Sequence, residues 1–186
     1  MPKKTLLLDC DGVLLDYDKA FFQYVKHLGI SKKKVKSSLK EDILDLEPKK
    51  VKELINKFNE SDHTRNLEEI LDAKKYLQKL QLINFEFICI TSIGTSDSIK
   101  ENRIFNLSKV FGDKFFKKIH FVPTFSSKEF ILQSYRNKLC VFIDDNEKDC
   151  ITAKKYKMTA YQFCKNQNIV ENVASWKNLY SKVILI

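Results

Sequence analysis

Two close pairs of aspartates, Asp9 with Asp11 and Asp144 with Asp145, each close an apolar run in this chain. Carboxylates two residues apart at the end of a strand point to the same side if the extended conformation continues. Burying such a pair is costly unless protons or a cation neutralise it. The surroundings offer oxygen and no cluster of His or Cys, which suits Mg2+, a hard cation that takes oxygen ligands. Gly12, directly after Asp11, permits a sharp turn and leaves the backbone bare for a close approach. A single aspartate at such a place is often no more than a helix cap or a turn former. Two pairs at matched positions point instead to a metal-assisted reaction.

The elements that must position these acids follow from the apolar pattern. Thr5–Leu8, Phe85–Ile90, Ile119–Val122 and Leu139–Ile143 read as buried parallel strands, with Ala160–Phe163 as a weaker fifth. Between them, Leu67–Leu82, Ser98–Phe111, Ser127–Tyr135 and Asp149–Tyr156 read as helices. Strands alternating with helices predict an α/β fold with a doubly wound parallel sheet. Such sheets bind ligands at the carboxyl ends of their strands. The first strand ends in Asp9-Cys10-Asp11-Gly12, the second in Thr91-Ser92 and the fourth in Asp144-Asp145, so one sheet edge collects carboxylates and hydroxyls. Residues 17–64 break the alternation with three helical stretches, Asp18–Leu28, Ser31–Leu46 and Pro48–Asn59. Pro48 suits a first helical turn. This insert is expected as a small helical cap above the sheet edge, over a core built from residues 1–16 and 65–186.

Asp9-Cys10-Asp11-Gly12-Val13-Leu14 resembles motif one of the haloacid dehalogenase (HAD) superfamily, DxDG(V/T)(L/I). Ile90-Thr91-Ser92 resembles its second motif, a hydroxyl residue closing a strand, and Val141-Phe142-Ile143-Asp144-Asp145 its fourth. The three occur in the family's order across nearly the whole chain. The resemblance implies a Rossmann-like core and phosphate-ester hydrolysis with Mg2+. It assigns Asp9 as nucleophile and metal ligand, and Asp11 as general acid/base that also offers its carbonyl to the metal. Thr91 and Ser92 would hold the phosphoryl oxygens, Gly12 would lie where the backbone meets the phosphate, and Asp144 and Asp145 would bind metal. Motif three requires a basic residue. Lys128, sixteen residues before Asp144, is the best-placed candidate, with Lys117, Lys118 and Lys138 as competitors.

The strings around Asp9 and Thr91 are locally similar to the 5'(3')-deoxyribonucleotidases, which place an aromatic where Tyr17 falls. The resemblance therefore implies a nucleoside monophosphate as substrate, with Tyr17 against the base and Phe21 and Phe22 extending the wall. The rival fate for these aromatics is packing within the cap.

Net charge is +9, from 33 basic and 24 acidic residues. That favours an alternative, a polynucleotide end phosphatase. Against nucleic acid as a partner, only three basic residues are arginine, the side chain that supplies a bidentate fork to phosphates. A non-catalytic HAD-like binding module is the third reading, opposed by intact Asp9, Asp11, Thr91 and Asp144. The five cysteines form no CxxC and no zinc spacing, which fits reduced thiols. No apolar run approaches the roughly 20 residues of a membrane span. A small phosphorylated substrate, no membrane partner and a cytoplasmic location are the expectations.

Overall fold

The computed structural model describes residues 3–37, 39–136, 138–164 and 172–186. Six strands form one sheet in the order β3-β2-β1-β4-β5-β6: β1 (Lys4–Asp9), β2 (Phe85–Thr91), β3 (Lys118–Phe121), β4 (Cys140–Asp144), β5 (Thr159–Phe163) and β6 (Asn172–Val173). Every pairing is parallel. Central β1 is buried on both faces. Leu6 and Leu8 pack on one side with Leu77 and Leu80 of α4 (Ala73–Leu82), Leu107 of α5 (Asp97–Phe111) and Trp176 and Leu179 of α8 (Trp176–Val183). Leu7 faces the other side, against Leu132 of α6 (Glu129–Ser134) and Cys150 and Ala153 of α7 (Glu147–Lys155). Helices therefore cover both faces, and the strand order reverses between β1 and β4, where a crevice opens beyond the strand ends.

The insert after β1 contributes α1 (Tyr17–His27), α2 (Lys40–Leu44), α3 (Pro48–Glu60) and a 3-10 turn at Asp62–Asn66. Phe21, Val25, Leu54 and Phe58 are its buried centre. The expected helix Ser31–Leu46 shrinks to Lys40–Leu44, because Lys32, Lys33, Lys34 and Lys36 repel one another and give no apolar stripe. The helix expected from Leu67 begins only at Ala73. The preceding residues instead pair with the chain leaving β1: Asp16 N donates to Glu68 O at 2.9 Å and Ile70 N to Leu14 O at 2.9 Å. Both crossings between cap and sheet are thereby tied together.

Helix α7 starts before the expected Asp149 because Asn146 caps it, its side chain accepting from Lys148 N. Helix α8 and β6 were not legible in the sequence. Trp176 anchors α8 by burying its ring and donating Nε1 to Val13 O at 2.9 Å, just behind the first acidic pair. Cys10, Cys89, Cys140 and Cys150 are buried free thiols. Among the described residues no helix is long and apolar enough to cross a membrane.

Candidate active site

Asp9 is the last residue of β1, and the chain then folds back on itself. Leu14 N and Leu15 N both donate to Cys10 O, at 2.8 and 2.9 Å, and Gly12 N donates to Leu15 O at 2.9 Å. Gly12 sits at φ +83°, where a side chain is disfavoured, and an added Cβ would collide with the Asp145 carboxylate. The positive φ favours glycine, and a side chain here would push the Asp145 carboxylate away from its place.

Parallel pairing sets Leu8 beside Ile143 and Asp9 beside Ile90, so β1, β2 and β4 end at one level. Asp9, Asp144 and Asp145 consequently converge, with one oxygen from each lying within 4.8 Å of the others. Lys128, at the N-cap of α6, is buried between them. Its Nζ donates to Asp9 Oδ1 and, at 2.7 Å, to Asp144 Oδ2. Its backbone N donates to Asp149 Oδ1 at 3.3 Å. The competing lysines lie elsewhere: Lys117 pairs with Glu86 at 2.9 Å, Lys138 lies over the Tyr135 ring, and Lys118 is exposed at the start of β3.

Asp11 takes a partner that the motif reading missed. Arg103, on α5, is fully buried and grips Asp11 with both arms, Nη1 to Oδ1 at 2.6 Å and Nη2 to Oδ2 at 3.1 Å. The available signal was a charged residue on the buried face of an amphipathic helix, in step with Ile99 and Leu107. Such a residue must find a counter-charge.

Crowding shifts the titration of these groups. Burial, reinforced by Asp144 and opposed by Lys128, raises Asp9 to about 7. Partial desolvation in the cleft, where Asp145 still reaches solvent, then the charges of Asp9 and Asp144, raise Asp145 to about 9. Burial also raises Asp11 and outweighs the lowering by Arg103. Lys128 is raised as well, far above its ordinary value despite burial, because Asp144 and Asp9 hold its proton. Asp9, Asp11, Asp144 and Asp145, with Asp149 beside Lys128, outnumber the cations Lys128 and Arg103, in a donor set made of hard oxygens. That arrangement fits a divalent cation of the Mg2+ type, with Asp9, Asp144 and Asp145 as the residues to hold it.

Thr91 ends β2, fully buried, and its Oγ1 has no hydrogen-bond partner among the described residues. A buried hydroxyl left without a partner is uncommon, although Thr91 itself does not line the cleft. Ser92 lies beside it on the wall of a cleft of about 810 Å3 that contains Asp9, Asp11, Gly12, Lys128, Asp144 and Asp145. The insert after β1 adds Tyr17 and Lys40 to that wall. Tyr17 is 8% exposed, however. Its ring meets Phe58 edge-on and stacks on Phe21, and its hydroxyl donates to Asn59 Oδ1 at 2.8 Å. Most of Tyr17, and all of Phe21, thus belongs to cap packing. Phe125, which sequence reasoning did not single out, also lines the cleft and is 55% exposed, with the left-handed φ of 65° that a bulky residue rarely adopts.

No family model matches the chain. It is 24% identical to an uncharacterized 32.4 kDa protein of the Gp30-rIII intergenic region of Enterobacteria phage T4, over 97% of this chain and 70% of that protein. Among solved structures it is similar to a predicted phosphatase from Clostridium acetobutylicum, with TM-score 0.69, 17% identity and full coverage of both chains. A haloacid dehalogenase-like hydrolase from Streptococcus pneumoniae gives 0.66 at 13% identity, covering 97% and 98% of the two chains. A magnesium-bound HAD-hydrolase from Bacillus subtilis gives 0.63 at 12% identity, covering 98% and 99%. The chain therefore has the α/β fold of the HAD-superfamily hydrolases, and the motif-bearing strand ends meet in its crevice.

Proposed function

We propose that this protein is a Mg2+-dependent phosphohydrolase that cleaves phosphate monoesters through an aspartyl-phosphate on Asp9. The observation that carries this reading is the convergence of Asp9, Asp144 and Asp145 around Lys128, next to Asp11, in an open cleft. The fold likeness to HAD-superfamily hydrolases supports it. An Asp9 oxygen attacks phosphorus, and the bond from phosphorus to the ester oxygen breaks. Asp11 gives that departing oxygen its proton. Asp11 then takes a proton from water, the resulting hydroxide attacks phosphorus, and the Asp9–phosphorus bond breaks to release inorganic phosphate and restore Asp9. Lys128 offsets the charge of Asp9 and Asp144 and faces the incoming phosphoryl group. Thr91, Ser92 and the backbone at Gly12 receive the phosphoryl oxygens. A bound Mg2+ would supply positive charge opposite those oxygens, the main requirement in phosphoryl transfer.

For the leaving group we favour a nucleoside over a sugar. The support is an exposed aromatic, Phe125, on the cleft wall, which Tyr17 also lines. The test of the whole reading is phosphate release from p-nitrophenyl phosphate with Mg2+ and with chelator. Activity should depend on the ion and vanish in Asp9→Asn, whose amide cannot attack phosphorus. Full activity after exhaustive chelation would remove the metal from the account.

A further inference from the structure

Of the three arginines, Arg103 alone is fully buried. Desolvating a guanidinium is expensive, and an apolar side chain of similar volume usually stabilises a core as well or better. The geometry shows where that cost is directed. Both terminal nitrogens engage the two oxygens of Asp11, and Nη1 also lies 3.1 Å from Cys10 Sγ, within the turn that carries Asp11. The remaining nitrogen, Nε, is buried without a hydrogen-bond partner among the described residues. The hydrogen bonds of this buried cation are thus spent on the turn that carries Asp11. The neighbouring residues of α5 are also committed: Asn102 Nδ2 donates to Ser61 O at 3.3 Å, and Asn106 Nδ2 donates to Leu67 O at 3.0 Å. These bonds tie α5 to the chain returning from the cap, so the Arg103 fork is held at a fixed height beside the turn.

We propose that Arg103 is the positioning residue of Asp11. It holds the plane of that carboxylate with a bidentate clamp, so that the remaining acceptor sites face the cleft, where the Asp11 side chain keeps 20% exposure. From there Asp11 reaches the departing ester oxygen. Arg103 touches neither substrate nor reacting atoms and acts only through Asp11, so the inference rests on the acid/base reading of Asp11 given above.

The test compares kcat/KM, which reports the steps up to departure of the leaving group, for p-nitrophenyl phosphate and for simple alkyl phosphates. Arg103→Met should lose about 100-fold on alkyl esters, whose alkoxide needs a proton, at the lower end of the general-acid range. On p-nitrophenyl phosphate, whose leaving group departs almost unaided, the loss should be about 5-fold or less. Arg103→Lys keeps the buried charge but not the fork. It should show the same dependence on leaving group at smaller size, and it serves if the Met variant does not fold. In an Asp11→Asn background, Arg103→Met should cost almost nothing more, since the group it acts through is gone. Equal losses on every ester, or full additivity with Asp11→Asn, would make Arg103 a structural residue and overturn the proposal. An Asp11→Asn variant as fast as the parent on alkyl esters would instead overturn the acid/base reading of Asp11, and this proposal with it.

Discussion

Replacing Lys128 by Met keeps most of the side-chain volume and removes one positive charge from between Asp9 and Asp144. Breaking a buried ion pair by deleting one partner costs about 3–5 kcal/mol. Lys128 serves two carboxylates at once, both at least nine-tenths buried, so about 4 kcal/mol at pH 8 in chelator is a fair expectation. For a domain of 186 residues that corresponds to a fall in Tm of about 8–16 °C. The loss should also depend on pH. Asp9 has an ordinary value of 3.8 and rises to about 7 in the folded protein. An acid whose pKa is raised by folding holds more protons folded than unfolded, so its contribution to stability falls as pH climbs from about 4 through 7. Lys128 is the main influence opposing that rise. Without it Asp9 and Asp144 move higher still, and the gap between variant and parent widens with pH. At pH 5, where the pair can share a proton, the gap should shrink to about 1–2 kcal/mol. The assay is thermal and urea unfolding of both proteins at pH 5 and pH 8 with EDTA present. A gap below about 1 kcal/mol at pH 8, or one that does not change with pH, would refute the picture of Lys128 as the counter-ion of two buried carboxylates.

Other consequences follow from the same geometry. Gly12→Ala should lose more than about 1 kcal/mol of stability, from its positive φ and the collision with Asp145, and should lower activity as well; unfolding curves and phosphate release check both. Phe125→Ala should reduce kcat/KM for nucleoside monophosphates by about 5- to 150-fold, the worth of a base stacked on an aromatic ring, while sparing p-nitrophenyl phosphate far more. Tyr17→Ala should harm all substrates together, since its ring and hydroxyl hold α1 against α3. A selective loss on nucleotides in that variant would restore Tyr17 as the base-facing residue.

The sheet and the acid cluster were legible because their signals are local. Buried parallel strands read as short apolar runs, and an aspartate directly after such a run has to stand at the strand's carboxyl end. Leu6-Leu7-Leu8 before Asp9 and Val141-Phe142-Ile143 before Asp144 carry that information in themselves. Lys128 could be placed near the site only through the family pattern, and its contact with Asp9 spans 119 residues of sequence. Arg103 escaped because its meaning depends on a partner 92 residues away, and helical periodicity records only that a position faces inward. Leu67–Asp72 escaped for the opposite reason. Its apolar spacing suits a helix, but backbone bonds to Leu14 and Asp16 hold Glu68–Ile70 against the chain leaving β1, and a turn follows before Ala73. Tertiary pairing overrode local preference there, as it did for the aromatics of α1, which a sequence cannot divide between cleft wall and cap core.

The central claim is that phosphorus becomes bonded to Asp9 during turnover. Rapid quenching of the protein with substrate and Mg2+, followed by borohydride reduction and peptide mass spectrometry, reads this directly, because reduction converts a phosphorylated aspartate to homoserine. The account predicts homoserine at position 9 alone, formed only when substrate and Mg2+ are both present. Steady turnover with no modified residue, or with the modification at Asp11, Asp144 or Asp145 instead, would contradict it.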